Sequence, residues 1–456
     1  MLAEELNFEG LAGPTHHYGG LAPDNLASIQ HSRAVSNPKQ AALEGLEKMH
    51  QIHALGGKQA IFPPQERPYL PFLRQVGYTG TDAAVLARAA REDLPLLAAA
   101  SSSSSMWTAN AATICPSADA EDGRVHFTPA NMVTALHRSY ESAGHGEFLK
   151  KVFSDPHFFV HHAPLPAHLD YADEGAANHT RLCNAYGLPG LQLFVFGRSA
   201  GIKSTISPRH FPGRQTEEAS RAIGKLHLLD PKKTLFAQQH PEAIDAGAFH
   251  NDVVAVGNLA FFFYHEKAFL EEKQLRLDLT KRFRECTEAP LQLLAVSETQ
   301  IPLKEAVKTY LFNSQILTLP NQQTIWIAPQ ECRESEKVRQ FLALLVAESS
   351  LSISQLLFQN LRQSMQNGGG PACLRLRIVL TAQEQAAMHQ PVLFTDALYV
   401  RLTNWVKRHY RDRLSLQDLA DPGLLQESRA ALDELTGILQ LGAFYPFQKS
   451  SLERPY

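Results

Sequence analysis

From Gln192 onward, short apolar runs alternate with stretches of helical periodicity, and this rhythm restricts the fold more than any other feature. The runs are Leu193–Phe196, Thr234–Ala237, Val253–Val256, Leu293–Val296, Thr324–Ala328 and Leu374–Thr381. Helical patterns lie between several of them, at Glu217–Leu229, Glu271–Cys286 and Glu334–Glu348. Two more follow at Thr395–Arg413 and Arg429–Leu441. Mixed strand and helix predicts an α/β fold. Nearer the amino terminus, Pro38–Leu55 carries apolar residues at helical spacing, with Asn37 as its cap. Asp82–Ala100, rich in alanine and leucine, predicts a second helix. Ser101–Ser105 reads as a short low-complexity link.

A chain of 456 residues can bury a large core. About one domain per 150 residues would allow three, yet no repeat or linker marks a boundary. The 43 basic and 46 acidic residues leave a net charge of −3 without long charged blocks. Nucleic acid and anionic membrane are therefore poor partners. Five cysteines, Cys115, Cys183, Cys286, Cys332 and Cys373, are odd in number and scattered, which favours a reducing compartment. The first residues, Met1-Leu2-Ala3-Glu4-Glu5-Leu6, lack the pattern of a signal peptide, and no apolar run reaches membrane-spanning length. The expected location is the cytoplasm.

Chemistry concentrates at Asn367-Gly368-Gly369-Gly370-Pro371-Ala372-Cys373. Three glycines admit close approach by other groups, and Pro371 biases Gly370 toward extended backbone. In Leu374–Leu380 apolar residues then alternate with Arg375 and Arg377, which predicts a half-buried strand with Cys373 on the arginine face. Positive neighbours lower a thiol pKa from about 8.5. The plainer alternative is an inert buried cysteine. Two further stretches supply partners: Asp173-Glu174-Gly175-Ala176-Ala177-Asn178-His179, and Phe249-His250-Asn251-Asp252 beside Val253–Val256. On a strand, His250 and Asp252 would point the same way. Cysteine, histidine and an acid together suit thiol catalysis on a cationic substrate. Gly197-Arg198-Ser199-Ala200-Gly201 matches the serine-hydrolase elbow, but Ile202–Pro208 does not predict the helix that elbow needs. His157, His161 and His162 lack the companions of a metal site.

With these motifs go Gly13–Tyr18, Ser105–Trp107, Ala109–Thr113 and Pro329–Glu334, and the set resembles the N-succinylarginine dihydrolase family from Asn7 to about Gln448. The resemblance implies the pentein fold, a pseudo-fivefold α/β propeller around a central active-site pocket, as one catalytic domain over residues 1–456. It implies hydrolysis of N2-succinyl-L-arginine to N2-succinyl-L-ornithine, two ammonia and carbon dioxide, in arginine catabolism by the succinyltransferase route. Nucleophile, histidine and acid fall on Cys373, His250 and Glu174, and the guanidinium-binding carboxylate on Asp252. Substrate contacts fall on Gly19, Gly20, Leu21, Ala22, Pro23, Asp24, Asn25, Leu26, Ala27 and Ser28, and on Asn110, His137, Arg138, Arg214 and Asn367. Arg138 and Arg214 are the expected anchors for substrate carboxylates. No metal or organic cofactor is implied, and the family expectation is a homodimer. The tail Lys449–Tyr456 has no counterpart. Alternatives are a deiminase or amidinotransferase using the same trio, or a non-catalytic binding propeller.

Overall fold

The computed structural model describes residues 3–201, 206–287, 289–347 and 353–449. Fifteen strands run β1 (Ala3–Gly10), β2 (Lys58–Phe62), β3 (Ala112–Cys115), β4 (Val125–Pro129), β5 (Phe159–His161), β6 (His179–Leu182), β7 (Leu191–Phe196) and β8 (Thr234–Gln238). They continue as β9 (Ala255–Asn258), β10 (Phe261–His265), β11 (Gln292–Val296), β12 (Gln315–Thr318), β13 (Thr324–Pro329), β14 (Ile353–Gln359) and β15 (Arg375–Thr381). Among the described residues they form five three-stranded sheets, ordered β3-β4-β5, β6-β7-β8, β9-β10-β11, β12-β13-β14 and β15-β1-β2.

All five share one topology. The middle strand is antiparallel to the first and parallel to the third. A parallel pair needs a long crossover, and each has a helical one. Pro38–Ala54 joins β1 to β2, Ser142–Val152 joins β4 to β5, Glu217–Leu226 joins β7 to β8, and Glu272–Thr287 joins β10 to β11. The β13–β14 connection carries Gln330–Glu334 and Glu336–Ala347. The fifth sheet pairs the first strand of the chain with the last, Ala3 opposite Thr381 and Glu9 opposite Arg375. First strands neighbour one another: β9 lies beside β6 and β12, and β15 beside β3. The turns that precede them therefore converge.

The six apolar runs and most helices form near the expected places, and Asn37 caps its helix by accepting from Gln40 N–H at 2.9 Å. Other expectations are corrected. Asp82–Ala100 is two helices, Asp82–Glu92 and Leu94–Ser101. Asp93 leaves helical geometry and caps the second by accepting from Leu96 N–H, and Pro95 has no N–H to continue the first. Ser101–Ser105 is no link but buried core, where Ser103 accepts from Gly13 N–H at 2.7 Å and Ser104 donates to Glu141 at 2.5 Å. The helix expected over Glu334–Glu348 breaks at extended Ser335, and Glu348 lies outside the described residues. The run at Val253 starts as a 3-10 turn, Asn251–Val253, with β9 only from Ala255. The helix expected over Arg429–Leu441 starts earlier and ends sooner, at Pro422–Ile438, capped by Asp421 on Gly423 N–H. No helix among the described residues is long and apolar enough to cross a membrane.

Candidate active site

The turns before the first strands carry the polar residues singled out in the sequence. Asn110 and Cys373 each stand two residues before β3 and β15, and Glu174 and His250 each stand five before β6 and β9. Asp252 follows within the 3-10 turn ahead of β9. Side-chain alternation along a strand does not align His250 with Asp252, because neither is on the strand.

Glu174 is wholly buried and is held from several sides. Its Oε2 lies 2.7 Å from His250 Nε2, its Oε1 accepts from Thr134 Oγ1, and its backbone N–H donates to Gln215 Oε1 at 2.7 Å. Arg214 Nη1 is 3.6 Å from Oε2. Burial alone would raise this carboxyl, but the His250 bond, the Arg214 charge and the Thr134 bond outweigh it and hold it at about 2. Burial lifts the neighbouring Asp173 to about 7. His250 thus has one ring nitrogen fixed on a carboxylate. Its buried Nδ1 has no hydrogen-bond partner among the described residues and can exchange a proton with a bound group.

Cys373 is 3% exposed, with Sγ 3.7 Å from Asp252 Oδ2. Burial, then the Asp252 charge, pushes its thiol well above the ordinary range. This corrects the expectation of arginine-assisted acidity. Arg375 and Arg377 are committed to Glu5 on β1, at 3.3 and 2.9 Å, with Arg375 also on Asn7. Burial likewise raises Asp252, whose Oδ1 has no partner among the described residues. The three-glycine loop is close-packed: a Cβ on Gly369 would sit 2.1 Å from Trp107 Nε1, and one on Gly368 would sit 1.9 Å from Asn25 Nδ2.

The segment from Gly19 to Ser28 divides in two. Asp24, Asn25 and Ser28 turn inward, while Pro23 and Leu26 are exposed and Gly19, Gly20, Leu21, Ala22 and Ala27 are half-buried. Asp24 is paired with Arg214, whose Nε donates to Oδ2 at 2.7 Å. Asn25 donates to Gly368 O at 3.0 Å, and Ser28 donates to Asn367 Oδ1 at 3.4 Å. Arg138 is spread over Glu141, Asn110 and Ser104 at 3.1, 2.8 and 3.3 Å, and Asn110 in turn donates to Glu174 O at 2.7 Å. Arg138 is therefore a brace for Asn110, and both arginines already hold protein carboxylates. His137 is buried, and burial drops it to about 3, so its ring is neutral.

Sequence reasoning missed Thr134, Gln215 and Asn313, which hold these groups in place from segments without a motif. Elsewhere, Ser199 donates to Glu218 at 2.9 Å, and residues 202–205 after it lie outside the described residues. His162 pairs with His126, His161 with the Phe153 carbonyl and His157 with Asp155. Among the described residues no group of three or more histidine, cysteine or acidic side chains could hold a metal ion.

A family model described as Succinylarginine dihydrolase matches residues 2–448. A protein of Shewanella piezotolerans named N-succinylarginine dihydrolase is 51% identical over 445 residues, 98% of this chain and 99% of that one. One of the same name from Marinobacter nauticus is 52% identical over 446 residues, with the same coverage. Among solved structures, the substrate-bound amino-terminal domain of ArgZ, a cyanobacterial arginine dihydrolase, aligns with a TM-score of 0.48 and 14% identity, over 82% of this chain and 98% of that domain. The chain is a hydrolase of mixed α and β structure. It belongs to the succinylarginine dihydrolase family.

Proposed function

We propose that the chain hydrolyses N2-succinyl-L-arginine to N2-succinyl-L-ornithine, two ammonia and carbon dioxide through covalent intermediates on Cys373. The observation that carries this reading is the approach of the Cys373 thiol to Asp252 beside the His250–Glu174 pair. Five like sheets whose first strands converge suit a pentein propeller with one pocket, in a single catalytic domain. The cytoplasm and a homodimer remain part of the proposal.

A guanidinium group is a poor electrophile because its charge is delocalised, so positioning must do much of the work. Asp252 and Glu174 can hold its planar N–H groups. A cation bound against Asp252 and the thiol also offsets the Asp252 charge, the second cause after burial of the raised Cys373 thiol, so substrate binding itself favours thiolate. The thiolate attacks the guanidinium carbon. His250, protonated, gives its proton to the departing nitrogen, and the first ammonia leaves a thiouronium on sulfur. Water then adds to that carbon while neutral His250 takes its proton, and collapse expels the thiolate to leave a ureido group. A second round attacks the ureido carbon, releases the second ammonia and leaves a thiocarbamate. Its hydrolysis gives a carbamate that loses carbon dioxide. Two waters are consumed and two ammonia released per succinylornithine.

Arg214 is the stronger candidate for recognition of a substrate carboxylate, which would take the place of Asp24 on its guanidinium. Arg138 supports from behind through Asn110. The direct test is product analysis after incubation with succinylarginine. Two ammonia per succinylornithine are expected, with succinylcitrulline accepted as substrate. One ammonia per turnover with succinylcitrulline accumulating would mean a deiminase.

A further inference from the structure

Four of the five turns before the first strands carry Asn110, Glu174, His250 with Asp252, and Cys373. The fifth, before β12, carries Asn313. It stands two residues ahead of its strand, as Asn110 and Cys373 do ahead of theirs. Asn313 is wholly buried. Its Oδ1 accepts the Cys373 backbone N–H at 3.3 Å, and its Nδ2 donates to the Asp252 carbonyl at 3.3 Å. Its own carbonyl accepts from Ala372 N–H at 3.1 Å. The amide orientation is dictated by its neighbours, since a flipped group would set N–H against N–H and oxygen against oxygen. The glycine loop closes on the same side chain: a Cβ on Gly370 would lie 2.6 Å from Asn313 Oδ1. Tyr310, left-handed at φ 52°, donates from its hydroxyl to Gly368 O at 3.0 Å and braces the loop beside it.

Asn110 does a parallel job across the site, tying the Glu174 carbonyl to Arg138. Asn313 thus links two chain segments over a hundred residues apart in sequence, one bearing the thiol and one bearing the carboxylate it faces. We propose that Asn313 is a positioning residue for the reaction, its amide fixing the Cys373 backbone to that of Asp252 so that thiol and guanidinium-binding carboxylate stay in register. The inference rests on Cys373 as the nucleophile.

Three variants test it, Asn313→Ala, Asn313→Ser and the near-isosteric Asn313→Asp. Two measurements are made on each: steady-state kcat and KM for succinylarginine, and the rate of Cys373 alkylation by iodoacetamide at fixed pH, read by mass spectrometry. Asn313→Ala is expected to lower kcat about 100-fold with KM little changed, because about 1 Å of misplacement costs that much. Asn313→Asp adds negative charge beside a thiol that burial and Asp252 already disfavour as thiolate, and should slow alkylation about tenfold. A merely structural role predicts instead that activity falls only with the folded fraction, the folded Asn313→Ala and Asn313→Ser molecules keeping wild-type kcat. Folded Asn313→Ser and Asn313→Asp enzymes with wild-type kcat and alkylation no slower than wild type would overturn the proposal. So would failure of all three variants to fold, which would make Asn313 a folding residue. Alkylation needs no substrate, so wild-type enzyme that releases no ammonia from succinylarginine would sink the succinylarginine reading, while the alkylation comparison would still decide the role of Asn313.

Discussion

Replacing Glu174 by glutamine keeps its shape and removes its charge. A buried carboxyl held at about 2 against an ordinary 4.5 is favoured in its ionised form by about 3 kcal/mol. That energy comes from His250, Arg214 and Thr134, and Glu174→Gln gives it up. If the His250 cation draws most of it, the same 3 kcal/mol corresponds to a fall of about 10²-fold in kcat, because proton delivery to the leaving nitrogen needs the imidazolium. Because the folded-state value lies below the unfolded one, the carboxylate's contribution to stability is complete above about 4.5 and is lost as pH falls toward 2. Urea unfolding of wild type and variant at several pH values should therefore show a gap of order 3 kcal/mol near neutrality that closes in acid. A gap that stays constant with pH, or a variant with wild-type kcat, would refute this account of Glu174.

Further outcomes are equally open to measurement. Cys373→Ser should bind succinylarginine in calorimetry and release no ammonia, whereas alanine at Cys115, Cys183, Cys286 or Cys332 should spare the chemical step and change only the melting temperature. Free arginine should show kcat/KM lower by about 10³-fold or more than succinylarginine, since Arg214 would lose its carboxylate partner; comparable values would count against that role. Gly369→Ala should abolish ammonia release in a steady-state assay, as its Cβ would fall 2.1 Å from Trp107 Nε1. Gly45→Ala, within Pro38–Ala54 and facing open space, should raise unfolding free energy by about 0.5–1 kcal/mol.

Local signals were legible where local physics decides. Asn37 ahead of Pro38 marks a helix start because a side-chain acceptor satisfies a free N–H, and that bond forms. The alternation after Cys373 marks a strand, and β15 is there. Strands β3 and β6 were not legible, since four residues such as Ala112–Cys115 or His179–Leu182 are too short for periodicity to show. In β1, Glu5-Leu6-Asn7-Phe8-Glu9 alternates as a half-exposed strand would, yet Glu5 and Glu9 are buried on Arg375 and Lys48.

The sequence by itself marked the stretches that meet in the candidate site, because a glycine loop before a cysteine and paired acid–histidine stretches are local patterns. Tertiary structure alone decided what surrounds them. Arg375 and Arg377 follow the thiol in the chain but answer to Glu5, nearly the whole length of the chain away, so the cations expected to activate Cys373 are spent elsewhere. Asp252, over a hundred residues upstream, sets the thiol's charge environment instead. Arg214 likewise meets Asp24 and Glu174 only because the turns before the first strands converge. Electrostatic energy depends on distance and burial in space, and neither is written in the spacing of residues along a chain.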